Sequence, residues 1–337
     1  MKDIYTTLKD WTAKDTPYAI ARVTETWRSS PRPVGSALLV GSNGEMAGSV
    51  SGGCVEKSVV QKAMKVLETG QPQLATFGVK NEEAWEVGLS CGGKIEVIIE
   101  KAPAFMAGHE DFWKRFSQAI ETDQAMVWIS RLAEEINTPV LFTGEDNDLP
   151  AAVNEAANRA LKSGRSEVQE IGGERYFFHS FPCKPTLLIV GSAHITAELL
   201  SIARQFDFKT IIVDPRDAFA RNTTYSIRPD QVLVNWPQEV MGEMKLDHFT
   251  YAVALSHDPK IDDEALSILL RSEVPYIGAL GSKRTHQKRL ERLKERGFSD
   301  DELSRIHAPI GLSIGAQTPA EIALSIMGEI VMVKNRL

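Results

Sequence analysis

Two of the three cysteines in this 337-residue chain stand beside paired glycines. In Ser49-Val50-Ser51-Gly52-Gly53-Cys54-Val55-Glu56 the glycines place Cys54 at the start of a helix. In Gly88-Leu89-Ser90-Cys91-Gly92-Gly93 they place Cys91 just ahead of a strand. The first N–H groups of a helix have no partner inside it, so its N-terminus favours negative charge. A thiol held there ionises more readily and becomes a better nucleophile or soft-metal ligand, and adjacent glycine lets backbone come close to a ligand. The competing reading is a small cysteine buried in a tight turn; recurrence of the glycine-flanked setting weakens it. Neither run has the Cys-x-x-Cys or paired-His spacing of zinc. Three thiols also fall short of the roughly four that one iron–sulfur cluster takes, which excludes a complete iron–sulfur oxidoreductase.

A second group of residues lies at predicted strand ends in the C-terminal half. Gly191-Ser192-Ala193-His194-Ile195-Thr196 follows an apolar strand, and Asp214 closes the next one. A dinucleotide fingerprint asks for Gly-x-Gly-x-x-Gly/Ala and an acid ~20 residues on. Here the first glycine and the acid are in place, while Ala193 and Thr196 occupy the second and third glycine positions. That supports the fold more than it supports NAD(P), because the second glycine admits the pyrophosphate. Ser256-His257-Asp258 and Gly281-Ser282-Lys283-Arg284 follow two further strands. Carboxyl ends of parallel strands form the usual ligand crevice, so His194, His257 and Asp258 are expected to face it. Lys283, Arg284, Lys288 and Arg289 open a charged helix, read either as a phosphate grip or as a solvated face.

The elements that position these residues are readable from periodicity. Asp3 to Lys14 reads as a helix, Tyr18 to Thr24 as a strand, and Ala37 to Val50 as a hairpin turning at Asn43-Gly44. A helix from about Cys54 to Glu68 stops at Gly70. Lys94 to Glu100 is a strand. Beyond it come a helix, strands near Val127 and Val140, a helix from Ala151 and a short β pair near Tyr176. Lys184-Pro185 reads as a linker. From Thr186 short apolar strands alternate with helices, the texture of a parallel sheet covered on both faces. The expected fold is α/β: a mixed α+β domain over residues 1–182, then a doubly wound Rossmann-like domain over 183–337. Thr318, Pro319 and Glu321 cap a last helix, whose Ile322, Leu324, Ile326, Ile330 and Val331 suggest burial on more than one face.

Hydrophobic residues make up 43% of the chain and charged residues 25%, the mixture of a globular protein. A net charge of −7 argues against broad attraction to nucleic acid or anionic membrane. No apolar run approaches the ~18–20 residues of a membrane span, and the first residues do not read as a secretory signal. Few cysteines point to a reducing compartment, with cytoplasm the expected location.

Taken together these motifs resemble the XdhC/CoxI family, accessory proteins of xanthine dehydrogenase and related molybdenum enzymes. The resemblance rests on Ser29-Ser30-Pro31-Arg32-Pro33-Val34-Gly35, the Ser51 to Glu56 turn, and Cys91-Gly92-Gly93 with Ile95-Glu96-Val97. In the second half it rests on the turn through His194, Val213-Asp214-Pro215-Arg216, Ser256-His257-Asp258, Tyr276-Ile277-Gly278, Gly281 to Arg284, Pro309-Ile310-Gly311-Leu312 and Thr318 to Ala323. The resemblance implies a homodimeric chaperone rather than an enzyme. It would bind the molybdenum cofactor, support its sulfuration by a cysteine desulfurase, and pass it to an apo molybdenum hydroxylase. By position, Cys54 and Cys91 are then the contacts to molybdenum or its labile sulfur, with Gly52, Gly53, Gly92 and Gly93 as close backbone. Gly191, His194, Asp214, His257 and Asp258 line the candidate seat of the pterin phosphate or an attached nucleotide. The family's turn usually reads Gly-Ala-Gly-His-Val, from which Ala193 and Thr196 depart. Two other readings stay open: an NAD(P)-dependent oxidoreductase using the Rossmann domain, and a scaffold that binds the hydroxylase but no cofactor.

Overall fold

The structure is a computed structural model that describes residues 4–27, 32–78, 93–133, 138–144, 148–192, 194–217 and 227–336. The chain divides into two compact units, Met1–Cys183 and Lys184–Leu337.

In the first unit, α1 (Tyr5–Ala13) precedes β1 (Tyr18–Trp27), and β2 (Ala37–Gly41) pairs with β3 (Met46–Gly48). The hairpin turns where expected: Gly44 takes φ 82°, and Asn43 Oδ1 accepts from the Glu45 N–H at 3.0 Å. α2 (Glu56–Thr69) stops at Gly70, φ 73°, whose N–H returns to the Val66 carbonyl. Cys54 therefore lies in the turn ahead of the helix, not within it. β4 (Gln73–Gly78) has no counterpart in the sequence reading; with only Ala75 and Phe77 buried, its alternation is too brief to stand out. It pairs with β5 (Lys94–Lys101), completing an antiparallel sheet of order β3-β2-β1-β5-β4.

Strand alternation assigns the two faces of this sheet. Ala19, Ala21 and Val23 meet Val59, Ala63 and Val66 of α2, and each such aliphatic burial contributes roughly 1.5–3 kcal/mol for the larger side chains. Tyr18 and Ile20 point the other way, into a core with Trp11, Phe112, Phe116 and Trp128. That core is shared with α3 (Glu110–Glu121) and a second antiparallel sheet, β6 (Met126–Arg131), β7 (Val140–Phe142), β8 (Glu167–Ile171) and β9 (Glu174–Phe181), order β7-β6-β9-β8. α4 (Ala151–Ser163) covers its outer face. The β pair near Tyr176 is thus half of a four-stranded sheet.

The second unit is built on a six-stranded parallel sheet. Its strands are β10 (Thr186–Val190), β11 (Lys209–Val213), β12 (Gln231–Leu233), β13 (Thr250–Ala254), β14 (Tyr276–Ala279) and β15 (Ile306–His307), in the order β12-β11-β10-β13-β14-β15. The order reverses between β10 and β13, which makes their carboxyl ends the topological switch point. α5 (His194–Gln205) and α8 (Pro319–Arg336) pack on one face, α6 (Pro259–Leu269) and α7 (Lys283–Glu295) on the other. This is the expected doubly wound fold. β15, two residues long, is too short to predict. Glu321 caps α8 as the sequence suggests, accepting from the Thr318 N–H at 2.9 Å. The helix buries Ala323, Ser325, Ile326, Met327 and Ile330, with Ile322 and Val331 packed partly buried against the same core, so burial extends beyond one narrow stripe. Leu324 is the exception, 56% exposed and outside the i, i+3, i+4, i+7 spacing set by Ala323. Among the described residues, no helix is long and apolar enough to cross a membrane.

Candidate functional site

The turn carrying Cys54 is organised by the residue two positions later. The Glu56 carboxylate accepts from the backbone N–H groups of Val50, Ser51, Gly53 and Val55 at 2.9–3.2 Å. It also accepts the hydroxyls of Ser49 at 2.7 Å and Ser51 at 2.5 Å. Gly52 and Gly53 take φ 81° and 119°, a left-handed path that glycine follows at least cost. Burial alone would raise the Glu56 carboxyl; the hydrogen bonds from Ser51, Ser49 and the backbone prevail and hold it down at about 2. The sequence predicts unpaired N–H groups of the helix start beside Cys54. The Val55 N–H is taken by Glu56 and the Ser51 hydroxyl oxygen. The other N–H groups that Glu56 binds belong to the turn before Cys54, because Glu56 at the helix start reaches back over it. Cys54 is half-buried and packs against the core that α2 shares with the sheet.

Cys91 and Gly92 lie outside the described residues. Gly93 is buried at the entry to β5, and its carbonyl oxygen would sit 3.0 Å from a Cβ on Gly78. Among the described residues there is no group of three or more His, Cys, Asp or Glu side chains that could hold a metal ion, and neither Cys54 nor Cys183 is in a disulfide.

In the second unit the strand ends at the switch point are joined by polar contacts. Gly191 takes φ 102°, and a Cβ there would lie 2.5 Å from the Ser256 backbone. This glycine lets the end of β10 close against the end of β13. Asp214, with no exposed surface, accepts from the Ser192 N–H and hydroxyl and from the Arg216 N–H, Nε and Nη2, all at 2.8–3.0 Å. Burial works to raise its carboxyl, and the Arg216 and Ser192 hydrogen bonds overcome that and keep it below the usual carboxylate range. Arg216 Nη1 also donates to the Ser256 carbonyl at 3.3 Å. Ser256 in turn donates its hydroxyl to Asp262 at 2.6 Å. Asp262 faces Arg289 at 3.8 Å, and Arg289 donates to the Leu280 carbonyl at 2.8 Å.

These contacts occupy Asp214 within the fold. A dinucleotide ribose would have to displace Ser192 and Arg216 to reach Asp214. Thr196, fully buried in the third glycine position, donates its hydroxyl to the Gly191 carbonyl at 2.9 Å; Ala193 lies outside the described residues. Asp258 caps α6, accepting from the Lys260 N–H at 2.9 Å. His194 begins α5 and His257 follows β13; both are exposed, and His257 takes φ 63°. Arg289, grouped with the exposed cations of its helix by sequence, is 3% exposed; the inward side of α7 carries it beneath the Leu280 turn.

Comparison with known proteins decides the family. A model described as the XdhC Rossmann domain matches residues 187–330, and one described as the XdhC and CoxI family matches residues 11–78. The chain belongs to the XdhC and CoxI family. Relatives of this family member include a Bacillus subtilis protein named as a probable xanthine dehydrogenase subunit, 23% identical over 94% of this chain and 93% of that protein. The Escherichia coli "Molybdenum cofactor insertion chaperone PaoD" is 24% identical over 90% of this chain and 79% of its own length. The uncharacterized Escherichia coli protein YqeB is 25% identical over 99% of this chain, which spans 46% of it. A crystal structure from Bacillus halodurans, described as a xanthine dehydrogenase, shares the fold with a TM-score of 0.70 at 24% identity, covering 100% of this chain and 96% of that one.

Within this XdhC/CoxI chain, Glu56, Arg216 and Asp262 organise the two sites, yet sequence reasoning gives them no role of their own. Glu56 follows Ser51 at a spacing that could have signalled a reach back to the turn. Arg216, two residues after an acid at a strand end, carried a signal for an ion pair. Asp262 carried none, since an acid in the first turn of a helix is ordinarily solvated.

Proposed function

We propose that this chain carries the molybdenum cofactor, supports its sulfuration and delivers it to a xanthine dehydrogenase-type molybdenum hydroxylase. The observation that supports this most directly is the Cys54 turn, a half-buried thiol beside two left-handed glycines on backbone tied down by Glu56. A thiolate is a soft ligand suited to molybdenum or to its labile sulfur, and a turn already satisfied internally can hold it without reorganising. The insertion-chaperone name of the PaoD relative points the same way.

In this reading Cys54 and Cys91 contact the metal centre, with Gly52, Gly53, Gly92 and Gly93 allowing close approach. The strand-end crevice around Gly191, His194, His257 and Asp258 seats a nucleotide where the cofactor carries one, and Asp214 acts there through Arg216 and Ser192. The partners are an apo-hydroxylase and a cysteine desulfurase, met in the cytoplasm by a homodimer. The test is to purify the chain from a molybdopterin-producing host and measure bound pterin by the fluorescence of its oxidised form. Pterin enriched in the native chain and lost in the Cys54→Ala/Cys91→Ala variant is expected. Equal pterin in both would end the proposal.

A further inference from the structure

An open cleft of about 530 Å³ in the first unit has no part in that reading. It lies between residues 32–36 after β1, 164–166 between α4 and β8, and 179–182 at the end of β9. Its described lining holds two arginines, Arg32 and Arg165, and no carboxylate, in a chain of net charge −7. Ser36 and Ser166 add hydroxyls, while the Ser180 hydroxyl is donated to the Ala160 carbonyl at 3.0 Å. Ser166 Oγ accepts from the Ser180 N–H at 3.0 Å, which leaves its own proton to donate. His179 also lines the cleft, is 3% exposed, and has an Nδ1 with no hydrogen-bond partner.

Gly35 keeps this cleft open. It takes φ 87°, and a Cβ there would lie 2.8 Å from Ser166 Oγ and 3.2 Å from the His179 ring. Two guanidinium groups with hydroxyl donors nearby suit a tetrahedral oxyanion, since arginine pairs with phosphate through parallel N–H donors. The volume exceeds that of a bare ion and falls in the range of small-molecule sites. Pro33, Val34, Phe181 and Pro182 offer apolar surface to an organic body.

We infer that this cleft binds a phosphate monoester of a small organic molecule, the phosphate between Arg32 and Arg165 and the organic body against the proline and phenylalanine wall. Arg32 Nε donates to the Ser49 carbonyl at 3.3 Å, and the Ser49 hydroxyl is held by Glu56, so the cleft wall is tied to the Cys54 turn. The pterin phosphate of the molybdenum cofactor belongs to this ligand class; naming it as occupant rests on the function proposed above, whereas the anion site does not.

The test is isothermal titration of the full chain with inorganic phosphate and with phosphorylated and unphosphorylated pterin, at fixed ionic strength. Phosphate and the phosphorylated pterin are expected to bind, the pterin ester more tightly, and the unphosphorylated pterin to bind worst. Arg165→Ala, at an exposed position that leaves the core intact, is expected to weaken both anions by about tenfold or more, with partial rescue by Arg165→Lys. Chloride matching phosphate, or Arg165→Ala binding like the native chain, overturns the site. Loss of pterin in Cys54→Ala/Cys91→Ala with phosphate binding intact is expected. A chain that carries pterin but ignores phosphate sinks this inference alone. A chain that binds phosphate but never carries pterin sinks the cofactor reading alone.

Discussion

Arg216 and Asp214, two residues apart, form a bidentate ion pair at the carboxyl end of β11, Nε to Oδ1 and Nη2 to Oδ2 both at 2.9 Å. Asp214 is fully buried, and the Arg216 side chain is 31% exposed. Through Ser192 and the Ser256 carbonyl the pair ties together the ends of three neighbouring strands.

Removing one member should therefore cost more than the pair contributes. Asp214→Ala leaves Ser192 and Arg216 donors without their acceptor and is expected to lose about 3–5 kcal/mol. Arg216→Ala should lose less, about 1–3 kcal/mol, because the Ser192 contacts remain. Urea unfolding of both single variants and the double should give a coupling above about 1 kcal/mol; additive losses would mean that the two side chains stabilise the fold independently.

Glu56 gives the first unit an acid-dependent stability. Its carboxyl lies at about 2 when folded, against an ordinary 4.5. The stabilisation is therefore complete above the ordinary value and is lost as pH falls towards the folded one. Allowing for screening on its open side, the contribution is about 2 kcal/mol. Native-chain stability should fall more steeply than that of Glu56→Gln between about pH 5 and pH 2. Parallel curves would contradict it.

Two glycines with similar backbone should respond differently to alanine. Gly53 (φ 119°) has open space around a Cβ, so Gly53→Ala should cost about 1–2 kcal/mol of backbone strain alone. Gly191 (φ 102°) would drive the methyl into the Ser256 backbone, so Gly191→Ala should cost about 3 kcal/mol or more. Thermal or urea unfolding of the two variants gives the comparison; equal losses would show that the close approach to Ser256 does not matter.

His257 holds a left-handed backbone without being glycine. His257→Gly should relieve about 1–2 kcal/mol of strain, offset in part by greater freedom when unfolded, for a net gain of up to about 1 kcal/mol. His257→Val should lose stability, since β-branching makes φ above zero costlier. A clear loss in the glycine variant would mean that the His257 side chain itself stabilises the fold.

Elements with strong local patterns were legible from sequence. The Asn43-Gly44 turn, the Gly70 stop, the capped last helix and the alternating β and α of the second unit all depend on residues within a few positions of one another. β4 and β15 were not legible because their short runs acquire strand structure only by pairing with β5 and β14. The motif around Cys54 was visible, but the destination of its N–H groups was not.

What residue order decided by itself is local and chemical: which segments are helix or strand, where glycine must turn the chain, and which side chains bring sulfur, charge or imidazole. Tertiary structure decided which of those groups are already used. Asp214 was identifiable as an acid at a strand end, yet only folding brings Ser192 to it and the Ser256 carbonyl to its neighbour Arg216. The same holds for Arg289, one cation among several on a charged helix until packing buries it under Leu280. Hydrogen-bond partners far apart in the chain leave no periodicity to read, because their spacing is set by the packing of strands and helices.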